Sequence, residues 1–531
     1  MKQSNRRIYL KQWQALKPVP GSTDPYYVKL CNKVKQAMLS SAYATYLAEH
    51  LDEDSVDELC CFLVSYLEDL VSDTNFWNTF VRLHQEQYGK PLPFYATEEY
   101  YEEEINIQDV SFLIWYYINC SQQEVFLSFE SRFIFFIAHE VMEVFDEVWE
   151  TAPENDDLKA YFQISASETD YFTVQDLMNR LFFDAYLFHP DTTRRLTDLL
   201  DPVVQRYADE EDPTIFVQDA IDYFLFSFRS RLLALNCREW AAAVWSDNHP
   251  LSEDITRMST RITSRYFYKG QDAGHVFVEH IATGIPFKLT QENFGDTDGL
   301  DREDEILLMS LIRWKDEWWS AGMYTVYEHD ADTVTRERNS TDSRRAIASL
   351  GDQKLIQGQL AIQYEKFVAF NEGTPILFMK LGEMRSYFDG FLALPDEGKP
   401  TGSEEQVPDR VESVVGERLR VLQNPDLDEE AIGLLFFNPQ SGPELVIGVN
   451  EVFPLDHNPF YLAEHEELEQ KVNRILQHPE ISTELAQYFV DQAGTKLPFF
   501  AAGIGKTYLT DFDFMLRFWK YDEYDTGLKV G

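Results

Sequence analysis

Cysteine is scarce and unpaired. The 531 residues contain five, Cys31, Cys60, Cys61, Cys120 and Cys237, and no two stand at CxxC spacing. That excludes a local zinc ribbon and a disulfide-stapled scaffold, and it suits a reducing cytoplasm. Long apolar runs are missing too. The longest, such as Phe112–Ile118, falls far short of the roughly 20 residues a membrane-spanning helix needs. The chain opens with charged and polar residues and has no apolar core of a signal peptide, so a cytoplasmic location is expected. Basic residues are few: 46 Lys and Arg face 91 Asp and Glu, a net charge of −45. Such a surface repels polyanions, so neither nucleic acid nor membrane is an expected partner.

Aromatic residues supply what the charge would otherwise deny. With 10 Trp, 28 Tyr and 39 Phe the chain has apolar surface to bury, and it reads as folded despite its charge. Charge is unevenly spread. Residues 1–35 hold eight basic groups against Asp24, whereas residues 46–157 hold 26 acidic groups against three basic ones. The simplest expectation is that the basic arm docks on the acidic body of its own chain.

Periodicity divides the chain into a multidomain α and α+β protein. Residues 1–262 read as a helical domain carrying the basic arm. Within it, Val56, Leu59, Leu63, Leu67 and Leu70 form one stripe behind a Ser55/Glu58 capping box, and Val110–Ile118 is apolar on nearly all sides and should be buried. Further helices are expected near 130–150, before 189, over 191–208 and over 214–246. Residues 263–330 read as a small antiparallel β module resembling a barrel, with strands at Gly274–Ile281, Ile285–Leu289, Ile306–Trp314 and Trp318–Tyr327. Residues 331–394 form an α+β segment that begins with a polar loop, 331–345. Residues 395–408 (PDEGKPTGSEEQVP) have linker composition, and 409–531 form a C-terminal α+β segment with a hairpin across Pro439–Pro443 and helices near 462–477 and 482–493.

The segment YLEDLVSDTNFWNTFVRLH…YGKPLPFY…YYEEEINIQDVSFLIWYY, over Tyr66–Tyr117, resembles a large, acidic, uncharacterised family described from gut-type anaerobic bacteria. The resemblance implies a lineage and no activity. His275–Met323 (HVFVEHIATGIPFKL…LLMSLIRWKDEWWSAGM) is more loosely similar to the β module of bacterial proteins with a zinc-binding SEC-C tail. Those relatives end in a Cys-rich motif. This chain has no Cys after Cys237, so the resemblance brings no zinc site.

Few residues suggest chemistry. Gly503-Ile504-Gly505-Lys506-Thr507 ends like a P-loop but lacks the earlier glycine such a loop needs to wrap phosphates. His139 and Glu143 share one helical face, as metal ligands do, but Glu143 stands where a zinc-protease helix has its second His. Asp296, Asp298 and Asp301, in the stretch Asp296–Asp301, invite a calcium reading, yet the glycine falls at the fourth position and not the sixth. Both are weak metal candidates beside the plainer reading of solvated acidic surface. Trp314, Trp318 and Trp319 are a candidate binding surface, although strand alternation would bury Trp314 and one of the other two. No cofactor is expected and no catalytic set is recognisable. The sequence therefore points to a non-enzymatic protein that engages a partner with a basic surface. Two alternatives stand beside it: a divalent-metal-dependent hydrolase with dispersed ligands, and a nucleic-acid mimic acting on a nucleic-acid-binding protein.

Overall fold

A computed structural model describes residues 6–102, 104–122, 127–208, 213–245, 249–291, 294, 300, 302–340, 343–344, 347, 353–394, 428–462, 475, 478, 481–496, 500, 504–522 and 524. The linker-like stretch 395–408 and the helix expected near 462–477 lie outside these residues, apart from Leu462 and Ile475. The chain divides into two compact units, Met1–Ala346 and Ile347–Gly531.

The first unit begins with helices α1 (Leu10–Ala15), α2 (Asp24–Ser40), α3 (Ala44–His50), α4 (Glu53–Ser72), α5 (Phe76–Tyr88), α6 (Ile107–Ser121) and α7 (Arg132–Asp146). Helix α4 starts earlier than its expected capping box: Asp52, not Ser55, is the N-cap, and its carboxylate accepts from the Ser55 amide at 2.8 Å. Helix α6 is buried along almost its whole length, as its all-round apolar sequence requires. It packs against α4 through aromatic pairs such as Phe62 with Tyr117, 5.6 Å between ring centres.

The basic arm does dock on its own acidic body. Arg6 pairs with Asp54 at 2.6 Å, and Lys17–Glu68 and Lys35–Asp57 are buried ion pairs. Asn155 also donates to Glu68, at 2.8 Å, and the Lys35 ammonium donates to the Arg6 carbonyl at 2.8 Å. Glu68 and Asp57 are thus each met by a buried ammonium, which is the condition for placing such charge inside.

The helical region continues through α8 (Asp156–Tyr161), α9 (Tyr171–Asn179), a run of π and 3-10 turns over 180–193, then α10 (Arg194–Arg206), α11 (Thr214–Ser227), α12 (Cys237–Val244) and α13 (Pro250–Arg257). The helix expected over 214–246 is therefore two. Leu233 and Ala234 adopt left-handed backbone conformations, the Ser230 amide donates to the Leu235 carbonyl at 2.8 Å, and Asn236 caps a new helix. Asn236 and Glu239 form a reciprocal capping box that the apolar run Leu232–Leu235 obscured.

Five strands follow: β1 (Ile262–Gln271), β2 (His275–His280), β3 (Pro286–Thr290), β4 (Ile306–Trp314) and β5 (Glu317–Tyr327). They close a barrel in the order β1-β2-β3-β5-β4. Strand β1 escaped the sequence reading, because Thr263, Arg265 and Lys269 interrupt the apolar pattern. Its partners are clear in the barrel, with Ser264 opposite Met309 and Tyr266 opposite Leu307 and His280. Four pairings are antiparallel, while β3 and β5 run parallel at Leu289 and Trp318. The module expected to be antiparallel thus contains one parallel pairing, and its connectivity is that of an OB-type five-stranded Greek-key barrel. Barrel topology alone assigns no ligand. The stretch expected as a polar loop begins with helix α14 (Ala331–Asn339), capped by Asp330. This helix is polar almost throughout and covers the barrel with Val334, which packs on Phe267, Ile281 and Ile306, and with a Glu337–Arg265 ion pair.

The second unit is a three-layer sandwich. Helix α15 (Gln353–Phe370), β6 (Ile376–Lys380), α16 (Leu381–Leu392), β7 (Ile432–Asn438), β8 (Gly442–Ile447), α17 (Thr483–Ala493), α18 (Ile504–Thr510) and α19 (Phe512–Trp519) follow in order. The sheet is antiparallel with β7 in the centre. Leu435 and Phe437 point to one face, under Phe367 of α15 and Met384 and Phe388 of α16. Leu434 and Phe436 point to the other, with Leu485 and Phe489 of α17 and Leu516 of α19. Alternation along β7 is what allows one strand to serve two cores.

Candidate binding cleft

Helix α17 has the sequence TELAQYFVDQA. Leu485, Ala486, Phe489, Val490 and Ala493 are buried against the sheet. The remaining stripe, Glu484, Gln487, Tyr488 and Asp491, follows the spacing i, i+3, i+4, i+7 and faces outward along one line. Two hydrogen bonds fix the start of the helix. The Ser482 hydroxyl accepts from the Leu485 amide at 3.1 Å, and the Ser482 amide donates to Glu444 of β8 at 2.8 Å. Burial raises the Glu444 carboxyl above the ordinary glutamate range, and the hydrogen bonds from Ser482 oppose that.

This stripe forms one wall of a cleft of about 500 Å³. Its lining is completed by Phe436, Pro375, Tyr364, Pro439, Gln440, Asp513, Leu516 and Tyr524. The size is within the range of ligand sites. No lysine, arginine or histidine lines it among the described residues, whereas Glu484, Asp491 and Asp513 do. Two carboxylates are held in place. Glu484 accepts from the Asn438 side chain at 2.9 Å. Asp513 accepts from Arg517 Nε at 2.9 Å and from the Tyr524 hydroxyl. The Arg517 guanidinium lies over the Tyr524 ring, 4.2 Å from its centre, and Arg517 itself is buried behind the wall. Burial pushes the Tyr524 phenol up, so it stays a neutral donor to Asp513. Asp491 is exposed at the rim, where Gln487 donates to it at 2.8 Å.

Chemically the cleft offers the carboxylates of Glu484 and Asp491, and that of Asp513 already paired with Arg517, beside the rings of Tyr364, Phe436, Tyr488 and Tyr524. A cation on an apolar stem fits that lining. Aromatic faces attract it by about 0.5–2 kcal/mol. A carboxylate about 4 Å away adds roughly 1–4 kcal/mol, depending on local screening.

The residues singled out from the sequence lie elsewhere. His139 and Glu143 are on α7, both well exposed, with Nδ1 and Oε1 3.6 Å apart. No cluster of three or more His, Cys, Asp and Glu side chains suited to a metal occurs among the described residues. Asp296, Asp298 and Asp301 lie outside the described residues. Trp314 is fully buried, and its indole donates to the Thr169 carbonyl at 3.0 Å. Trp319 is buried against Tyr171, 5.8 Å between ring centres, while Trp318 is half-buried and lies edge-on to Phe287. Trp314 and Trp319 thus fasten the barrel to the helices of the same unit, aided by Lys315, which donates to the Glu168 carbonyl at 2.7 Å. Gly505, Lys506 and Thr507 lie inside α18, whose first residue is Ile504.

The cleft was not legible beforehand, because its walls come from α15, β7, α17, α19 and Tyr524. Only the polar stripe of α17 is a local signal.

Together these features define a protein with a helical region, a five-stranded barrel and a separate α/β/α unit. Residues 7–265 match the model of the family described as Protein of unknown function (DUF3843). The match spans just under half the chain, covering the helical region and ending inside β1. No curated protein and no solved structure matches the chain. No helix is long and apolar enough to cross a membrane among the described residues.

Proposed function

We propose that this is a protein-interaction module whose α17 cleft receives a lysine or arginine side chain from a partner with a basic surface. One observation carries the reading: three carboxylates and four aromatic rings line a single cleft that no basic side chain lines among the described residues. The net charge of −45 supports it, since the surrounding field draws cationic chains toward the molecule. Among the described residues, the side chains the fold brings together give the dispersed-metal hydrolase no support. The nucleic-acid mimic relies on the acidic tract at 46–157, part of which the chain's own basic arm already occupies.

Summed, one cation–π contact and one carboxylate contribute about 1.5–6 kcal/mol, a dissociation constant between about 40 μM and 80 mM for one side chain. A photo-crosslinkable lysine peptide tests the location. Cross-links mapping to 483–491 and 513–524 support the cleft. Cross-links spread over all acidic surfaces, in proportion to exposure, would leave it no special role.

A further inference from the structure

A second surface, in the first unit, is built for a larger partner. Helix α7 buries Phe133, Ile134, Ile137, Ala138, Val141 and Phe145. Its outer face nevertheless begins with two more phenylalanines, Phe135 and Phe136, at 53% and 41% exposure. Tyr43 stacks on Phe136 with ring centres 4.4 Å apart and planes 5° from parallel, and Tyr46 of α3, at 51% exposure, lies 6.1 Å from Tyr43. Four aromatic side chains, Phe135, Phe136 and Tyr46 exposed and Tyr43 half-buried between them, thus form one contiguous ridge. Isolated exposed rings need no explanation, but a contiguous group of them marks an interaction site.

The same helix face then changes character. His139, Glu140, Glu143, Asp146 and Glu147 follow Phe135 and Phe136 at helical spacing, over about 18 Å. On α3, Glu49 is exposed as well. Cations on the neighbouring segments include Arg132, ahead of the phenylalanines, and on α2 the exposed Lys29 and Lys33, the latter 3.9 Å from Glu147. His139 lies 3.6 Å from Glu143. An aromatic end and an acidic end therefore occupy one ribbon.

We infer that this ribbon docks an amphipathic helix of another protein, one with leucine-like residues at one end of its contact face and lysine or arginine about two to three turns further on. Charge complementarity selects that occupant. A second copy of this strongly anionic chain would set like charges against the acidic half, and an anionic lipid surface would meet the same repulsion.

The probe is a synthetic 18-residue helical peptide with leucines on one face of its first half and lysines in its second half. Its control is the same peptide with serine in place of leucine. Binding is read by fluorescence anisotropy at about 150 mM salt on the full chain. Phe135→Ser combined with Tyr46→Ser should weaken the leucine–lysine peptide at least tenfold, and Glu143→Lys should weaken it severalfold. The serine control should bind more weakly throughout. Circular dichroism and melting temperature confirm that the variants stay folded. All ridge variants are compared in a Glu484→Gln, Asp491→Asn background, which removes the cleft of the other unit as a second site for the peptide's lysines, so that the two surfaces are tested separately. Equal affinity of wild type and ridge variants would overturn the inference, as would equal affinity of the two peptides. So would self-association in sedimentation, or binding to phosphatidylserine vesicles, that the ridge substitutions abolish, because either would identify a different occupant.

Discussion

Asp109 offers a demanding test of the first unit's core. It is fully buried on α6 and accepts from the Tyr66 hydroxyl at 2.7 Å and from Asn106 at 3.4 Å. Burial pushes its carboxyl up to about 7, from an ordinary value of 3.8, with the hydrogen bonds restraining the rise. The folded state therefore holds this proton more tightly than the unfolded state. Stability from this group is complete below about pH 4 and is lost as pH rises to about 7. A displacement of about three pH units corresponds to roughly 4 kcal/mol. Asp109→Asn keeps an oxygen for Tyr66 but cannot ionise. Urea unfolding followed by tryptophan fluorescence, at pH 5 and at pH 8, supplies the measurement. Other groups titrate in the same range. His84 and His280 are buried, with pKa values lowered to about 4, and they act in the opposite direction. The informative quantity is thus the double difference between variant and wild type. Asp109→Asn should gain about 2–3 kcal/mol on wild type between the two pH values, the rest of the loss falling below pH 5. Parallel stability profiles would refute the reasoning, because they would show that the carboxylate is not held in a desolvated site.

Three further outcomes follow from the fold. His280→Gln should remove up to about 3 kcal/mol of acid sensitivity, because the neutral imidazole bonded to Ser264 and Thr283 stabilises the barrel above about pH 6.5 and ceases to as pH falls toward 4. Thermal unfolding at pH 4.5 and 7.5 checks this. Trp314→Ala should cost about 3–5 kcal/mol by emptying the seam between barrel and helices, read from the denaturation midpoint. Asn236→Ala should cost about 1 kcal/mol or slightly more through loss of the α12 cap, whereas Asn236→Ser should restore most of it.

Much of the fold could be read in advance, and where it could not the cause is local. The burial of α6, the strands β2 to β5 and the hairpin of β7 and β8 follow from patterns whose period matches their geometry. Helix α14 has one buried apolar anchor, Val334, so it carries no helical period and looks like a loop. The break before α12 depends on left-handed Leu233 and Ala234, residues that give no turn signal. The indoles show the opposite case. Alternation predicted that Trp314 and one neighbour would be buried, and Trp314 and Trp319 are. The cleft depends on long-range assembly: Glu484 and Asp513 are 29 residues apart and become neighbours only through the packing of α17 and α19.

Calorimetric titration of an acetylated, amidated lysine peptide into wild type and the Glu484→Gln, Asp491→Asn double variant addresses the cleft most directly. The matched control is Glu98→Gln with Glu99→Gln, which removes the same charge from the exposed surface of the other unit. The cleft substitutions should weaken binding at least tenfold while the control stays within about twofold of wild type. Equal losses in the two double variants would mean that the peptide senses only the overall charge, and the cleft would then not be a recognition site.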